Sequence, residues 1–129
     1  LVGKKWKIAI AAILVAFAFL FAFLFLQMRP IVICLDERRV TVEMGPTVES
    51  IFEDTPHEYK DVNFSDYYVH LVNGTCDVVM DISPTQEREE VMLFSKEVKD
   101  DFFFAFRKGD QSLKEKVDLA IDNVNSQSQ

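Results

Sequence analysis

The chain has 129 residues, room for one domain. Its first thirty residues hold four of the fourteen basic residues (Lys4, Lys5, Lys7, Arg29) and none of the twenty-one acidic ones, so residues 31–129 form an acidic body of net charge −11. Such a body repels phosphate backbones, which argues against nucleic acid as a partner. Two cysteines with no Cys-x-x-Cys pair are too few for a disulfide scaffold.

Ile8 to Leu26 is an unbroken run of 19 Ala, Ile, Leu, Val or Phe residues. As a helix it spans roughly 28 Å, close to the hydrocarbon thickness of a bilayer. Lys4, Lys5 and Lys7 precede it, which places the N-terminus in the cytoplasm and the acidic body outside. Trp6 suits the cytoplasmic interface. The alternative is a cleaved signal peptide, whose apolar core spans about 7–15 residues before a small-x-small site. Here the run ends in Phe25-Leu26-Gln27-Met28-Arg29-Pro30, without such a site. Ile31-Val32-Ile33-Cys34 is similar to a lipoprotein box, but Ile33 stands where a small residue is needed. An uncleaved single-pass anchor over residues 1–30 is the expectation. The chain starts at Leu1 rather than Met, which points to a non-standard start codon or a fragment.

In the body, Arg38 to Met44 alternates and reads as a strand. Gly45-Pro46 opens a short helix with Val48, Ile51 and Phe52 on one face. Glu53 to Glu58 reads as a loop and Lys60 to Phe64 as a second strand. Ser65 is placed to cap a helix carrying Tyr67, Tyr68, Leu71 and Val72, which Asn73-Gly74 ends. Cys76 to Asp81 has the continuous apolar centre of a parallel strand buried on both faces. Ser83-Pro84-Thr85-Gln86 reads as a helix start with Ser83 as cap. Asp101 to Arg107 is a Phe-rich strand. After Lys108-Gly109, Leu113, Val117, Ala120, Ile121 and Val124 mark the buried face of a last helix. Asn125 to Gln129 reads as a flexible polar tail after a lobe of residues 31–124. The alternation of strand and helix predicts an α/β fold with a mainly parallel sheet, the strands near 40–44, 60–64 and 76–81 at its heart.

Three stretches together carry a resemblance: Leu35-Asp36-Glu37-Arg38-Arg39-Val40-Thr41-Val42-Glu43-Met44-Gly45; Leu71-Val72-Asn73-Gly74-Thr75-Cys76-Asp77-Val78-Val79-Met80-Asp81; and Phe104-Ala105-Phe106-Arg107-Lys108-Gly109-Asp110. In this order the chain, over roughly residues 35–124, resembles the bacterial extracellular solute-binding proteins of the amino-acid-binding family, the venus-flytrap receptors of ABC importers and some sensor kinases. The resemblance implies a single periplasmic-binding-protein-like lobe, since that family has two lobes joined by hinge strands. It also implies that the Phe102–Phe106 strand runs close to the sheet edge or leaves it. Two alignments stay open. The second-lobe alignment is favoured because it also explains residues 35–47. In the first-lobe alignment, Ile82-Ser83-Pro84-Thr85-Gln86-Glu87-Arg88 with Phe94-Ser95 matches the stretch whose Thr and Arg grip a ligand carboxylate, and Asp81 falls near a family glycine.

The candidate ligand-binding residues are Asp81, Gly45, Thr47 and Arg88. The second-lobe alignment gives Asp81 the role of holding an amino acid's ammonium, and the carboxyl edge of an open α/β sheet is where ligands bind. Gly45 and Thr47 sit at a strand-to-helix turn whose N–H groups suit an anion, although Pro46 lacks a donor. Arg88 is of the type that clamps carboxylates, with a solvated helix face as its ordinary role. Tyr67, Tyr68 and Phe102 to Phe106 read as core. No catalytic constellation, metal-ligand spacing or cofactor motif is present in the sequence. Asn63-Phe64-Ser65 and Asn73-Gly74-Thr75 fit the glycosylation pattern, but the resemblance is bacterial. A Cys34–Cys76 disulfide is permitted outside the cytoplasm, and sequence leaves open whether the two meet. The implied partners are an amino-acid-like molecule and the membrane, with a second flytrap lobe, an ABC permease or a sensor protein beside them. A ligand-free lobe that docks on a protein is the competing function.

Overall fold

The computed structural model describes residues 3–27, 29–40 and 42–127. Gly3–Gln27 form helix α1, apolar on every face over residues 8–25 and long enough to cross a membrane. The body follows as β1 (Ile31–Leu35), α2 (Gly45–Ile51), β2 (His57–Asp61), α3 (Tyr67–Val72), β3 (Val78–Met80), α4 (Gln86–Glu89), β4 (Met92–Phe94), β5 (Phe104–Arg107) and α5 (Gln111–Gln127).

The five strands form one sheet in the order β2-β1-β3-β5-β4. β1 pairs in parallel with β2 and β3, and β5 runs antiparallel to both β3 and β4. Side chains alternate between two cores. Ile33, Val78, Met80, Phe104 and Phe106 point to one face, where Val48, Ile51, Phe52, Val117 and Ile121 of the α2 and α5 layer cover them. Cys34, Val79 and Ala105 point to the other, under Tyr67 and Leu71 of α3. All three residues of β3 are buried, as its unbroken apolar run predicts. Cys34 and Cys76 form a disulfide with their Cα atoms 5.8 Å apart.

Several local expectations are corrected. The first strand is Ile31–Leu35, not Arg38–Met44. The chain turns at 37–39 because Asp36 holds it there: its carbonyl receives the Arg39 amide at 2.9 Å and its carboxylate the Arg38 amide at 3.1 Å. Val42–Met44 is a 3-10 turn, and Thr41 lies outside the described residues. The second strand begins earlier, at His57, and Phe64 opens a 3-10 turn instead. Ser65 lies inside that turn and does not cap α3, whose N-cap is Asp66. Gly74, at φ +84°, closes the turn after α3, with Asn73 Oδ1 accepting the Thr75 amide. Thr85 rather than Ser83 caps α4, by accepting the Arg88 amide. Ser83 instead donates to Asp101 at 2.9 Å.

The Phe-rich segment is also placed differently. β5 lies inside the sheet between β3 and β4, and β4 takes the edge. Lys99 and Phe102 pair across a tight turn in which Asp100 (φ +51°) and Asp101 (φ +63°) are both left-handed. This primed-type geometry folds the chain straight back into the sheet.

Candidate functional site

In a parallel β2-β1-β3 unit all carboxyl ends share one edge. Residues after Leu35, Asp61 and Met80 therefore meet there, joined by the Lys99–Phe102 turn that feeds β5. A cleft of about 310 Å³ opens at this edge, lined by Arg39, Glu43, Met44, Thr47, Asp81, Lys99, Asp100 and Phe102. Two of the sequence-derived residues, Thr47 and Asp81, share it, although 34 positions separate them.

Asp81 is half-buried, and its backbone amide donates to Phe103 O at 3.0 Å. Its φ of +63° is a conformation that glycine adopts readily and that other residues adopt at a cost. Gly45 starts α2, is exposed, and is not among the cleft's lining residues. Arg88 is elsewhere. It lines a second hollow with Phe64, Tyr67, Tyr68 and Ile82, and its guanidinium donates to Ser83 O at 2.8 Å.

Phe64 borders that second hollow, and Arg39, from the first cleft, covers its ring. Asp36, buried at 3% exposure, ties the loops after β1 and β2 together. Its carboxylate receives the Arg38 guanidinium at 3.1 Å, the Arg38 amide at 3.1 Å and the Phe64 amide at 2.9 Å. The Arg38 side chain, then the Phe64 amide, hold the Asp36 carboxyl well below the usual carboxylate range, so it is ionised at any ordinary pH. Tyr67 packs as core and donates its hydroxyl to Met80 O at 3.1 Å; burial pushes that hydroxyl up to about 12.

The cleft therefore carries two cations (Arg39, Lys99) and three carboxylates (Glu43, Asp81, Asp100) around Met44 and Phe102. Sequence reasoning missed Arg39, Glu43, Lys99 and Asp100. Arg39 and Glu43 fall in the stretch that reads as a strand, Lys99 and Asp100 belong to no motif, and the turns at 37–39, 42–44 and 99–102 bring the four to the edge. Among the described residues no group of three or more His, Cys, Asp and Glu side chains is arranged to hold a metal.

The sheet order defines an α/β lobe with an open cleft at the carboxyl edge. Residues 41–129 match the family of bacterial extracellular solute-binding proteins, family 3, and the chain belongs to that family. No curated protein matches the chain. Among solved structures, a tryptophan-for-phenylalanine mutant of the arginine-bound form of domain 1 from TmArgBP shares the fold at TM-score 0.65 and 16% identity, covering 74% of this chain and 92% of that one. The arginine-bound form of domain 1 from TmArgBP does so at TM-score 0.62 and 16% identity, covering 72% and 91%.

Proposed function

We propose that the chain is a membrane-anchored, extracytoplasmic solute-binding module whose single lobe recognises amino-acid-like ligands at the carboxyl edge of its sheet, for transport or sensing. The observation that carries this reading is the convergence of Asp81 and Thr47 on one cleft with charges of both signs. An amino acid needs a carboxylate for its ammonium and a donor for its carboxylate. Asp81 supplies the first by a charge-assisted bond, with Arg39 or Lys99 available for the second. Three carboxylates against two cations, on a body of net charge −11, favour neutral or cationic ligands over acidic ones. The anchor is supported by α1, and an oxidising location by the disulfide. A lone lobe as binding unit is supported by the structural neighbours, which are described as arginine-bound forms of a single domain. A permease, a sensor protein or a second flytrap lobe would complete the assembly.

A second reading of the same edge is favoured by one specific observation. The left-handed backbone of Asp81 supports the first-lobe alignment, in which Asp81 falls near a family glycine. In that reading Arg88, beside Phe64, grips the ligand carboxylate after releasing Ser83 O.

Calorimetry on the full chain in detergent with a panel of amino acids tests both. Loss of one charged hydrogen bond costs about 1.5–3 kcal/mol, roughly tenfold or more in affinity. Asp81→Asn should weaken binding by that factor in the first reading, and Arg88→Gln in the second. If no amino acid binds at millimolar concentration, the lobe is a protein-docking domain instead.

A further inference from the structure

The edge opposite the cleft carries a feature that ligand binding at Asp81 does not use. The amino ends of β1, β2 and β3 lie there, together with Arg107 at the end of β5 and Met92 at the start of β4, which pair with each other. Beside them Tyr68, Leu71, Val72, Glu90, Val91, Arg107, Lys108 and Gly109 line a hollow of about 330 Å³. Its rim is apolar and open to solvent: Val72 is 59% exposed, Tyr68 46% and Val91 40%. Its floor is firm, because the Arg107 guanidinium donates to Leu71 O at 2.6 Å and Cys76 O at 3.2 Å.

Chain length decides what this edge faces. The apolar run ends at Leu26 and β1 begins at Ile31. Five residue steps reach at most about 17 Å even when fully extended. The headgroup layer takes up about 5–8 Å of that span. The first residue of β1 is therefore held within about 10 Å of the membrane surface, and the amino edge of the sheet is tethered close to it. The carboxyl edge and its cleft lie roughly 17 Å further out, the length of a five-residue strand.

We propose that the amino edge rests on the bilayer that anchors the chain, with Val72, Val91 and Tyr68 entering the headgroup layer, and that the cleft is thereby presented away from the membrane. This rests on the anchored reading of α1. The contact is apolar rather than electrostatic. Glu90 lines the hollow, and the Lys108 amine is engaged by the Glu89 and Glu90 carbonyls. Zwitterionic lipid therefore suffices, and anionic lipid does not strengthen the contact.

The test uses the full chain in phosphatidylcholine vesicles. The native cysteines are paired and buried, so a single introduced thiol takes a fluorophore. Labels at Val72→Cys and Val91→Cys are expected to be quenched by headgroup-nitroxide lipid several-fold more strongly than a label at Glu43→Cys on the cleft edge. Equal quenching at all three positions, or labels at 72 and 91 shielded from both water and lipid quenchers, overturns the docking while leaving the anchor in place. Release of the chain from the vesicles by alkaline wash overturns the anchor and the docking with it.

Discussion

The guanidinium of Arg39 lies 3.7 Å over the ring of Phe64, so a residue of the cleft covers an aromatic face that borders the neighbouring hollow. The stack is set up by one buried carboxylate. Asp36 accepts the amide of Arg38, next to Arg39, and the amide of Phe64 itself. Both partners are thus delivered by backbone positions fixed from the same side chain.

An exposed cation over a ring contributes about 0.5–1 kcal/mol. A double-mutant cycle of Arg39→Ala with Phe64→Leu, followed by urea denaturation, is expected to return a coupling energy of about that size. A coupling indistinguishable from zero means the stack stabilises nothing.

Asp81 separates stability from binding. A left-handed L-residue costs roughly 1–2 kcal/mol, least for Asp and Asn. Asp81→Gly removes that cost and loses some unfolded-state restriction, so the melting temperature should hold or rise slightly. Asp81→Val, β-branched at the same φ, should lower stability by at least about 1 kcal/mol. Both lose the carboxylate and should lose ligand affinity alike. A clear destabilisation by Asp81→Gly contradicts this account of the backbone.

The central layer of the fold is readable from sequence because burial writes it in plain terms. Val78-Val79-Met80 is apolar on both faces, Gly74 ends α3, and Val117 and Ile121 mark the α5 stripe. The strand Ile31–Leu35 is hidden in sequence because it follows the apolar helix closely and lacks alternation, whereas Arg38 to Met44 alternates but turns at 37–39 and 42–44. What turns the chain there is Asp36, through local bonds to the Arg38 and Arg39 amides, and a long-range bond ties it to Phe64, 28 residues away. The cleft is only half readable for the same reason. Asp81 and Thr47 lie next to regular elements, but Arg39, Glu43, Lys99 and Asp100 reach the edge through turns. β4 was missed because it is only three residues long and pairs on one side alone.

The disulfide joins Cys34 of β1 to Cys76 before β3, both fully buried, and closes a loop of sequence separation 42. In the chain-entropy account a loop of this length adds about 4 kcal/mol by restricting the unfolded state. Cys34→Ala with Cys76→Ala should lower the unfolding free energy by about that amount, as should reduction of the wild type. Unfolding midpoints that coincide with and without reductant would refute the expectation.

His57, Glu49 and Tyr59 form a titrating group where β2 begins and α2 passes. His57 Nδ1 contacts Thr55 O at 2.7 Å, and its Nε2 contacts Glu49 Oε1 at 3.2 Å, to which the Tyr59 hydroxyl also donates. Burial pulls the His57 pKa down, but the bonds to Thr55 O and Glu49 outweigh it and carry it above the ordinary 6.5. The Tyr59 hydroxyl, then His57, lower Glu49 below its ordinary 4.5. A raised His contributes stability that is complete below 6.5 and fades as pH climbs through the raised value. A depressed carboxylate contributes stability that is complete above 4.5 and fades as pH falls through the depressed value. The contact is therefore strongest between 4.5 and 6.5 and weakens above that window as His57 loses its proton. In an NMR titration of the histidine rings, Glu49→Gln should shift the His57 midpoint downward. A His57 midpoint that ignores Glu49→Gln would show that the carboxylate does not hold the proton on the ring.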